Sequence, residues 1–456
     1  MKHIDWLESG VYLLLKSITM KSNYELTLEY MFEQLPMFTR IGDAAYKADL
    51  NNTLVLSEAL GNPHLKFKTI HIAGTNGKGS CSNMLAAIFQ TAGYKTGLYT
   101  SPHIVDFRER IRINGTEIDE QSVIDFIAKH KQLIEEIQPS FFEITVVMAF
   151  DYFATQGVDI AVVEVGLGGA LDSTNIIVPE LSIITNISYD HMSLLGQNLP
   201  QIAEQKAGII KDHVPVVIGE SQLELQNIFF AKAIKHKSQL FCADAIYETL
   251  DGQIEDGKLH LKLLNKSLML SHDIILDLIG NYQYKNCKTV LTAIDVLRKK
   301  GWNITEHHIM TSLSQVKKIT GFKGRFDIVK YEPLVVFDGS HNEAGLTEVF
   351  NQVKSMKYNS LFIILGVARD KELSKVLKIF PTDAYYFFTQ ADIPRALPYI
   401  ELQAIGLDAK LDGEGCPTMK DALESAFKLA SPNDLILVTG SFYTLKDAYD
   451  YLKQTN

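Results

Sequence analysis

The chain has 456 residues, with 44 Lys plus Arg against 54 Asp plus Glu and a formal charge of −10. That acidic balance excludes whole-protein attraction to nucleic acid or anionic lipid, so any anionic substrate must be held by a local basic site. Apolar residues at 46% and charged residues at 21% exclude disordered, collagen-like and coiled-coil classes, and the length suggests two or three domains.

The apolar run at 11–15 is too short for a membrane span or a signal-peptide core, and Asp5 and Glu8 precede it. It reads as an ordinary N-terminal helix or tail; alternatively, translation starts at Met20 and residues 1–19 are not native. Near-continuous apolar runs at 67–73, 95–100, 158–165 and 181–187 then read as buried parallel strands. Helical spacing occupies 80–91, 120–137 and 144–156 between them. This alternation predicts an α/β fold with a doubly wound, mostly parallel sheet. Residues 246–276 alternate polar and apolar around Asp251-Gly252 and Asp256-Gly257, which predicts a small antiparallel patch. A helix over 282–300 is expected to end at Gly301, after which strands at 334–337, 360–365, 384–388 and 434–438 predict a second α/β unit. The expected domains are therefore 1–301 and 302–456, the second long enough to bury its own core. The four cysteines (Cys81, Cys242, Cys287 and Cys416) form no CxxC pair, which points to a reducing cytosol.

Chemistry enters at Ala73-Gly74-Thr75-Asn76-Gly77-Lys78-Gly79-Ser80, between a predicted strand and a predicted helix. The glycines let backbone N–H groups approach an anion, the helix start adds partial positive charge, and Lys78 supplies a full one. A tight turn with an incidental lysine is the alternative; the strand–loop–helix context favours a nucleotide. The loop departs from the Walker A pattern, because Gly79 stands where a hydroxyl should follow Lys78. Ser80 is displaced by one position, so another residue must complete a Mg²⁺ shell. Glu164 ends an apolar strand, where a buried carboxylate is costly unless it is paired or bound to a metal. Ligands of open α/β sheets gather at that strand end, so Mg²⁺ ligation is preferred over a structural ion pair. Arg108, Arg110 and Arg112 alternate and would share one strand face, either solvated and countered by Glu109 or turned to a polyanion.

The GTNGKGS loop resembles that of the Mur ligase superfamily and, within it, the dihydrofolate synthase/folylpolyglutamate synthase family. Resembling segments follow in order: PMFTRIG, HIAGTNGKGS, YTSPHIVDFRERIRING, FFEIT, EVGLGGALDSTN, SYDHMSLLG, IAEQKAGIIK, GRFD, FDGSHN and VTGSFY. The resemblance implies a P-loop-type N-terminal domain and a Rossmann-like C-terminal domain. It also implies an ATP-dependent ligation in which a carboxylate of 7,8-dihydropteroate or a reduced folate becomes an acyl phosphate that the L-glutamate amine attacks. ATP would bind at Gly74, Thr75, Asn76, Gly77, Lys78, Gly79 and Ser80, with Asn286 on adenine, Arg325 on phosphate and Asp338 also holding the nucleotide. Two Mg²⁺ ions would be held by Ser101, Glu164 and His191, and Lys206 would be carbamylated. Lys78, Glu164, His191, Lys206 and Arg325 would form the catalytic group.

Phe142, Glu143, Leu171, Asp172 and Ser173 match the family's pterin-binding pieces, where an aromatic face stacks and a carboxylate accepts the amino–imino edge. Read without the resemblance, Ser101 is a turn residue, His191 a hydrogen-bonded loop residue, Lys206 a solvated charge and Phe142 core. Gln205 replaces the family's usual Glu, and Ala170 its usual Arg, so a guanidinium is missing beside the substrate pocket. The expected protein is a cytoplasmic monomer acting on small molecules, without nucleic-acid or membrane partners. Competing readings are a single one of the two ligations, a peptidoglycan Mur ligase, and a non-catalytic nucleotide-binding module. The peptidoglycan enzymes usually carry a separate UDP-sugar-binding domain before the loop, and only 73 residues precede Gly74.

Overall fold

The continuous apolar runs become strands buried on both faces of a sheet. The computed structural model describes residues 21–37, 40, 42, 47, 49–369 and 373–455. Residues 1–19, and Phe38, Thr39 and Ile41 of the PMFTRIG segment, lie outside the described residues. In chain order the first sheet is built from β1 (Lys68–Ala73), β2 (Thr96–Tyr99), β3 (Ile111–Ile113), β4 (Thr116–Glu117), β5 (Ile160–Glu164), β6 (Leu181–Ile184), β7 (Val216–Ile218) and β8 (Leu240–Cys242). Their spatial order is β4-β3-β2-β5-β1-β6-β7-β8. Pairings from β2 through β8 are parallel, and β3 and β4 form an antiparallel edge. Ile70, Ile72 and Val162 face the helices Lys78–Thr91 and Gln283–Lys299, while Ala161 and Val163 face the helix Phe141–Thr155.

Strands β9 (Tyr247–Glu255), β10 (Lys258–Asn265) and β11 (Leu270–Leu276) form the expected antiparallel patch. Only one of its two expected turns is a turn. Asp256 and Gly257 have φ of 50° and 69°, the left-handed pair that a two-residue hairpin requires. Asp251-Gly252 instead lies within β9, beside a register shift at Lys262/Leu263.

Gly301, at φ 99°, follows the Gln283–Lys299 helix as expected, yet the first unit continues past it. Ile304, Ile309, Leu313 and Val316 pack into the same core as Leu85 and Ile294. The packing therefore places the division between Thr320 and β12 (Asp327–Tyr331), later than the expected 301/302. Strands β13 (Leu334–Phe337), β14 (Leu361–Leu365), β15 (Tyr385–Phe388), β16 (Gly413–Gly415) and β17 (Leu435–Thr439) complete the second sheet. Its order is β12-β13-β17-β14-β15-β16, with only β12 antiparallel. No helix among the described residues is long and apolar enough to cross a membrane, and all four cysteines are free.

Candidate active site

The loops that leave the carboxyl ends of β1, β2, β5 and β6 meet the second domain around one cavity of about 1250 Å³. The phosphate loop crosses between β1 and the start of the Lys78–Thr91 helix. A Cβ on Gly74 would fall 1.8 Å from Thr185 Oγ1, and one on Gly77 2.3 Å from Asn286 Oδ1. No side chain fits at either position. Lys78 folds back over the loop, its Nζ donating to the carbonyls of Gly74 and Thr75 at 3.1 Å. The hydroxyl of Ser80 accepts from Gln283 Nε2 at 3.2 Å. The position directly after Lys78 is the one that faces the carboxylate: a Cβ on Gly79 would lie 3.8 Å from Glu164 Oε2.

Glu164 closes β5 and is 5% exposed. Burial pushes its carboxyl up to about 7, against the pull of Lys78 and Arg325. Its Oε2 accepts from the backbone N–H of Ser101 at 3.3 Å, and both residues line the cavity. Mg²⁺ takes hard oxygen ligands, often one or two carboxylates completed by waters and substrate phosphates. A buried carboxylate beside Gly79, with Ser101 also in the cavity lining, fits that ion. Among the described residues, no three His, Cys, Asp or Glu side chains gather into a complete protein cage.

His191 stands at φ 48° as the N-cap of the short helix Met192–Leu195, and its Nε2 lies 3.7 Å from Asp190 Oδ1. Burial pushes its imidazole below the ordinary value. Asp190 also faces His341 at 3.8 Å. Burial would raise the Asp190 carboxyl, but the two histidines and Lys206 hold it well below the carboxylate range. Lys206 ends the helix Leu199–Lys206, is 4% exposed, and donates to Gly74 O at 2.8 Å. Burial first, and then the charge of Lys78, push its ammonium down to about 7. The reading of Lys206 as a solvated charge is excluded by that burial.

From the second domain, Arg325 lies 4.4 Å from the centre of the Phe442 ring and lines the cavity. Asn286 also lines it, buried and donating to Gln283 Oε1 at 2.8 Å. Asp338 is placed differently from the nucleotide contact expected of it. Its carboxylate is fully buried and accepts from Tyr282 Oη at 2.8 Å, Phe326 N at 2.7 Å and Ser340 N at 2.8 Å. These bonds shape the loop that carries Ser340 and His341 into the cavity wall.

At the far end, Phe142, Leu171 and Ser173 line the cavity, and Phe142 packs so closely on Gly166 that a Cβ there would lie 2.4 Å from its ring. The two carboxylates differ. Asp172 spends its oxygens on Leu167 N at 2.8 Å, Thr174 N at 3.0 Å and the Thr174 hydroxyl. Glu143 bonds Ser140 N at 2.6 Å and Asn52 Nδ2 at 3.3 Å through Oε2, and its buried Oε1 has no hydrogen-bond partner. Ala170 does not line the cavity; its backbone N–H donates to Gln205 O at 2.8 Å, and it packs against Gly208.

The expected common face of Arg108, Arg110 and Arg112 is not formed. Asp106 caps a 3₁₀ turn over Phe107–Arg110, so the strand begins only at Ile111. Arg108 pairs with Asp106 at 2.8 Å, and Arg112 with Glu117 at 3.2 Å. Arg110 alone reaches the cavity, buried over the Phe141 ring and donating from Nε to His103 Nδ1 at 2.8 Å.

Family models for the Mur ligase middle domain and the Mur ligase glutamate ligase domain match residues 72–294 and 324–442. The chain is 31% identical over 437 residues to a folylpolyglutamate synthase of Lacticaseibacillus casei, covering 92% of this chain and 96% of that one. It is 32% identical over 420 residues to a dihydrofolate synthase/folylpolyglutamate synthase of Bacillus subtilis, covering 89% and 95%. The chain belongs to the dihydrofolate synthase/folylpolyglutamate synthase family. It is thereby an ATP-dependent ligase of the Mur ligase superfamily. Mycobacterium tuberculosis folylpolyglutamate synthase complexed with ADP superposes with a TM-score of 0.85 at 26% identity, over 94% of this chain and 98% of that one. E. coli FolC in complex with DHPP and ADP gives 0.82 at 25% identity, over 95% and 98%.

Within this dihydrofolate synthase/folylpolyglutamate synthase framework, sequence reasoning left several cavity residues without a role: Asn186, Tyr282, His341, Asn342 and Ser441. His341, Asn342 and Ser441 stood in the FDGSHN and VTGSFY segments, so their signal was legible. What His341 and Asn342 touch depends on the other domain, whereas Ser441 bonds Thr444 within its own.

Proposed function

We propose that the chain adds L-glutamate to 7,8-dihydropteroate and to reduced folates, using ATP and two Mg²⁺ ions, as a monomer in the cytoplasm. The observation that carries this reading is the single cavity joining the phosphate loop to Phe142 and the unpartnered Glu143 Oε1. An acceptor-only oxygen beside an aromatic ring suits the amino–imino edge and flat face of a pterin. Lys78 and Arg325 approach the triphosphate from opposite domains. A substrate carboxylate oxygen attacks the γ-phosphorus, the bond to the β,γ-bridging oxygen breaks, and ADP leaves. The glutamate nitrogen then attacks the acyl carbon, phosphate departs, and the nitrogen gives up a proton. Ser101, Glu164 and His191 would hold Mg²⁺, which when bound neutralises the phosphate charge. Closure of the two domains shields the acyl phosphate from water.

A neutral Lys206 amine adds to CO₂ with loss of one proton, giving an anionic carbamate. Its ammonium is pushed down to about 7, so the reactive form is abundant above that pH. Removal of CO₂ from enzyme and buffers at pH 8 is expected to lower the rate several-fold, with recovery on adding bicarbonate. An unchanged rate in CO₂-free buffer would remove the carbamate from the reading.

The deciding experiment incubates the protein with ATP, Mg²⁺, glutamate and either dihydropteroate or tetrahydrofolate, with products resolved by mass spectrometry. Gain of a glutamyl residue by both substrates is expected. Ligation of only one reduces the assignment to a single activity, and ATP turnover with no glutamate-dependent product rejects it.

A further inference from the structure

Two asparagines join the domains across the cleft. Asn342 caps the helix Glu343–Ser355, its Oδ1 accepting from Gly345 N at 2.9 Å. The same side chain faces Asn76 of the phosphate loop. Asn76 Nδ2 donates to Asn342 Oδ1 at 3.2 Å, and Asn342 Nδ2 donates back to Asn76 Oδ1 at 3.0 Å. Asn342 Nδ2 also reaches Asp190 Oδ2 at 3.2 Å, so one side chain of the second domain holds two loops of the first. Asn342 is only 6% exposed, and in such a site an unmade hydrogen bond costs the desolvation of its group.

The backbone of Asn76 is held within its own domain. Its N–H donates to Asn186 Oδ1 at 3.0 Å, and its carbonyl accepts from Thr185 Oγ1 at 2.5 Å. The Asn76 carboxamide is thus the part that reaches across. A reciprocal pair needs a donor and an acceptor on separate atoms at both ends, which a carboxamide has and an ionised carboxylate or a single hydroxyl oxygen does not.

We propose that Asn342 is a positioning residue whose amide pair with Asn76 couples closure of the second domain to the arrangement of the phosphate loop. The coupling deepens the ligase reading and rests on it: the loop that would receive the triphosphate is braced by the domain that would deliver Arg325 to it. Asn342 acts through Asn76 and Asp190 rather than on the reacting atoms.

The test separates the bridge from the helix cap. N342S keeps a capping side chain that is too short to reach the phosphate loop. N342D also keeps the cap, but sets a carboxylate against Asp190. N76A removes the other half. The melting temperatures of N342S and N342D should stay near that of the wild type, while kcat falls in the order wild type, N342S, N342D and the KM for ATP changes less. N76A and N342S should each lower kcat by about tenfold, and the double variant should be no worse than either, the signature of a shared interaction. Additive losses overturn the coupling. Small-angle scattering of the ligand-free proteins supplies a readout independent of ligation: N342D should have a larger radius of gyration than the wild type, and coincident profiles also overturn the proposal. A wild-type protein that does not ligate glutamate would reject the ligase reading, while scattering would still judge the bridge.

Discussion

Lys78→Ala is expected to abolish glutamate ligation, lowering kcat by roughly a thousandfold or more, the scale of removing a preorganised charge from a phosphoryl-transfer site. The Lys78 ammonium lies at the cavity wall, 3.1 Å from the carbonyls of Gly74 and Thr75. Its loss removes the one full positive charge carried by the phosphate loop. Lys78 also opposes the upward push that burial exerts on Glu164, so its removal leaves that carboxylate more readily protonated and lowers activity further near neutral pH. Folding should be spared, because Lys78 makes no ion pair within 4 Å among the described residues and packs in no hydrophobic cluster. A circular-dichroism melt matching the wild type, with no product in the ligation assay, is the expected pair of results. Full activity in Lys78→Ala would reject the site.

Glu164→Gln is expected to lose ligation while gaining stability. Burial raises the Glu164 carboxyl to about 7 in the folded protein, against about 4.3 for an unperturbed Glu. The folded state therefore binds more protons than the unfolded state between these values, and stability falls as pH rises through them. The penalty is fully present above pH 7 and absent below about 4. Glutamine keeps the shape without the charge, so in the absence of Mg²⁺ and nucleotide the variant should be more stable at pH 8 by on the order of 1–3 kcal/mol. The advantage should vanish near pH 4. Thermal melts of both proteins at pH 4.5 and 8 measure this difference, and a Glu164→Gln protein less stable at pH 8 would contradict the placement of a buried, ionisable carboxylate at the end of β5. Activity of the wild type should also fall below about pH 7 in limiting Mg²⁺, as the carboxylate takes up its proton.

Much of the architecture was legible because parallel strands covered on both faces leave continuous apolar runs. Strands β1, β5, β6, β13, β14 and β17 were found in this way, and the Glu120–Ile137 helix at its observed bounds. The short strands β3, β4 and β16 carry too few residues for a period to register. The arginine run shows how a period misleads. Asp106 and Glu109 form a capping box, a local signal present in the sequence, yet period-two spacing suggested a strand. The late domain division has a different cause. Gly301 does stop a helix, but whether the next helix packs backward or forward is decided by Ile304, Ile309 and Leu313 finding a place on the Lys78–Thr91 helix, a long-range fit.

The sequence by itself determined the glycine-rich strand–loop–helix turn with its lysine, the carboxylate at the end of β5 and, through ten ordered segments, the family. These depend on short stretches of chain, where glycine spacing, charge and apolar run length act locally. Only the tertiary structure decided which carboxylate of the proposed substrate pocket keeps an oxygen without a hydrogen-bond partner, that Asp338 spends its oxygens bracing its own loop, and that Asn342 reaches Asn76. Each of these is settled by competition among donors brought from distant parts of the chain, and burial makes every unmatched polar group costly enough for that competition to have one outcome.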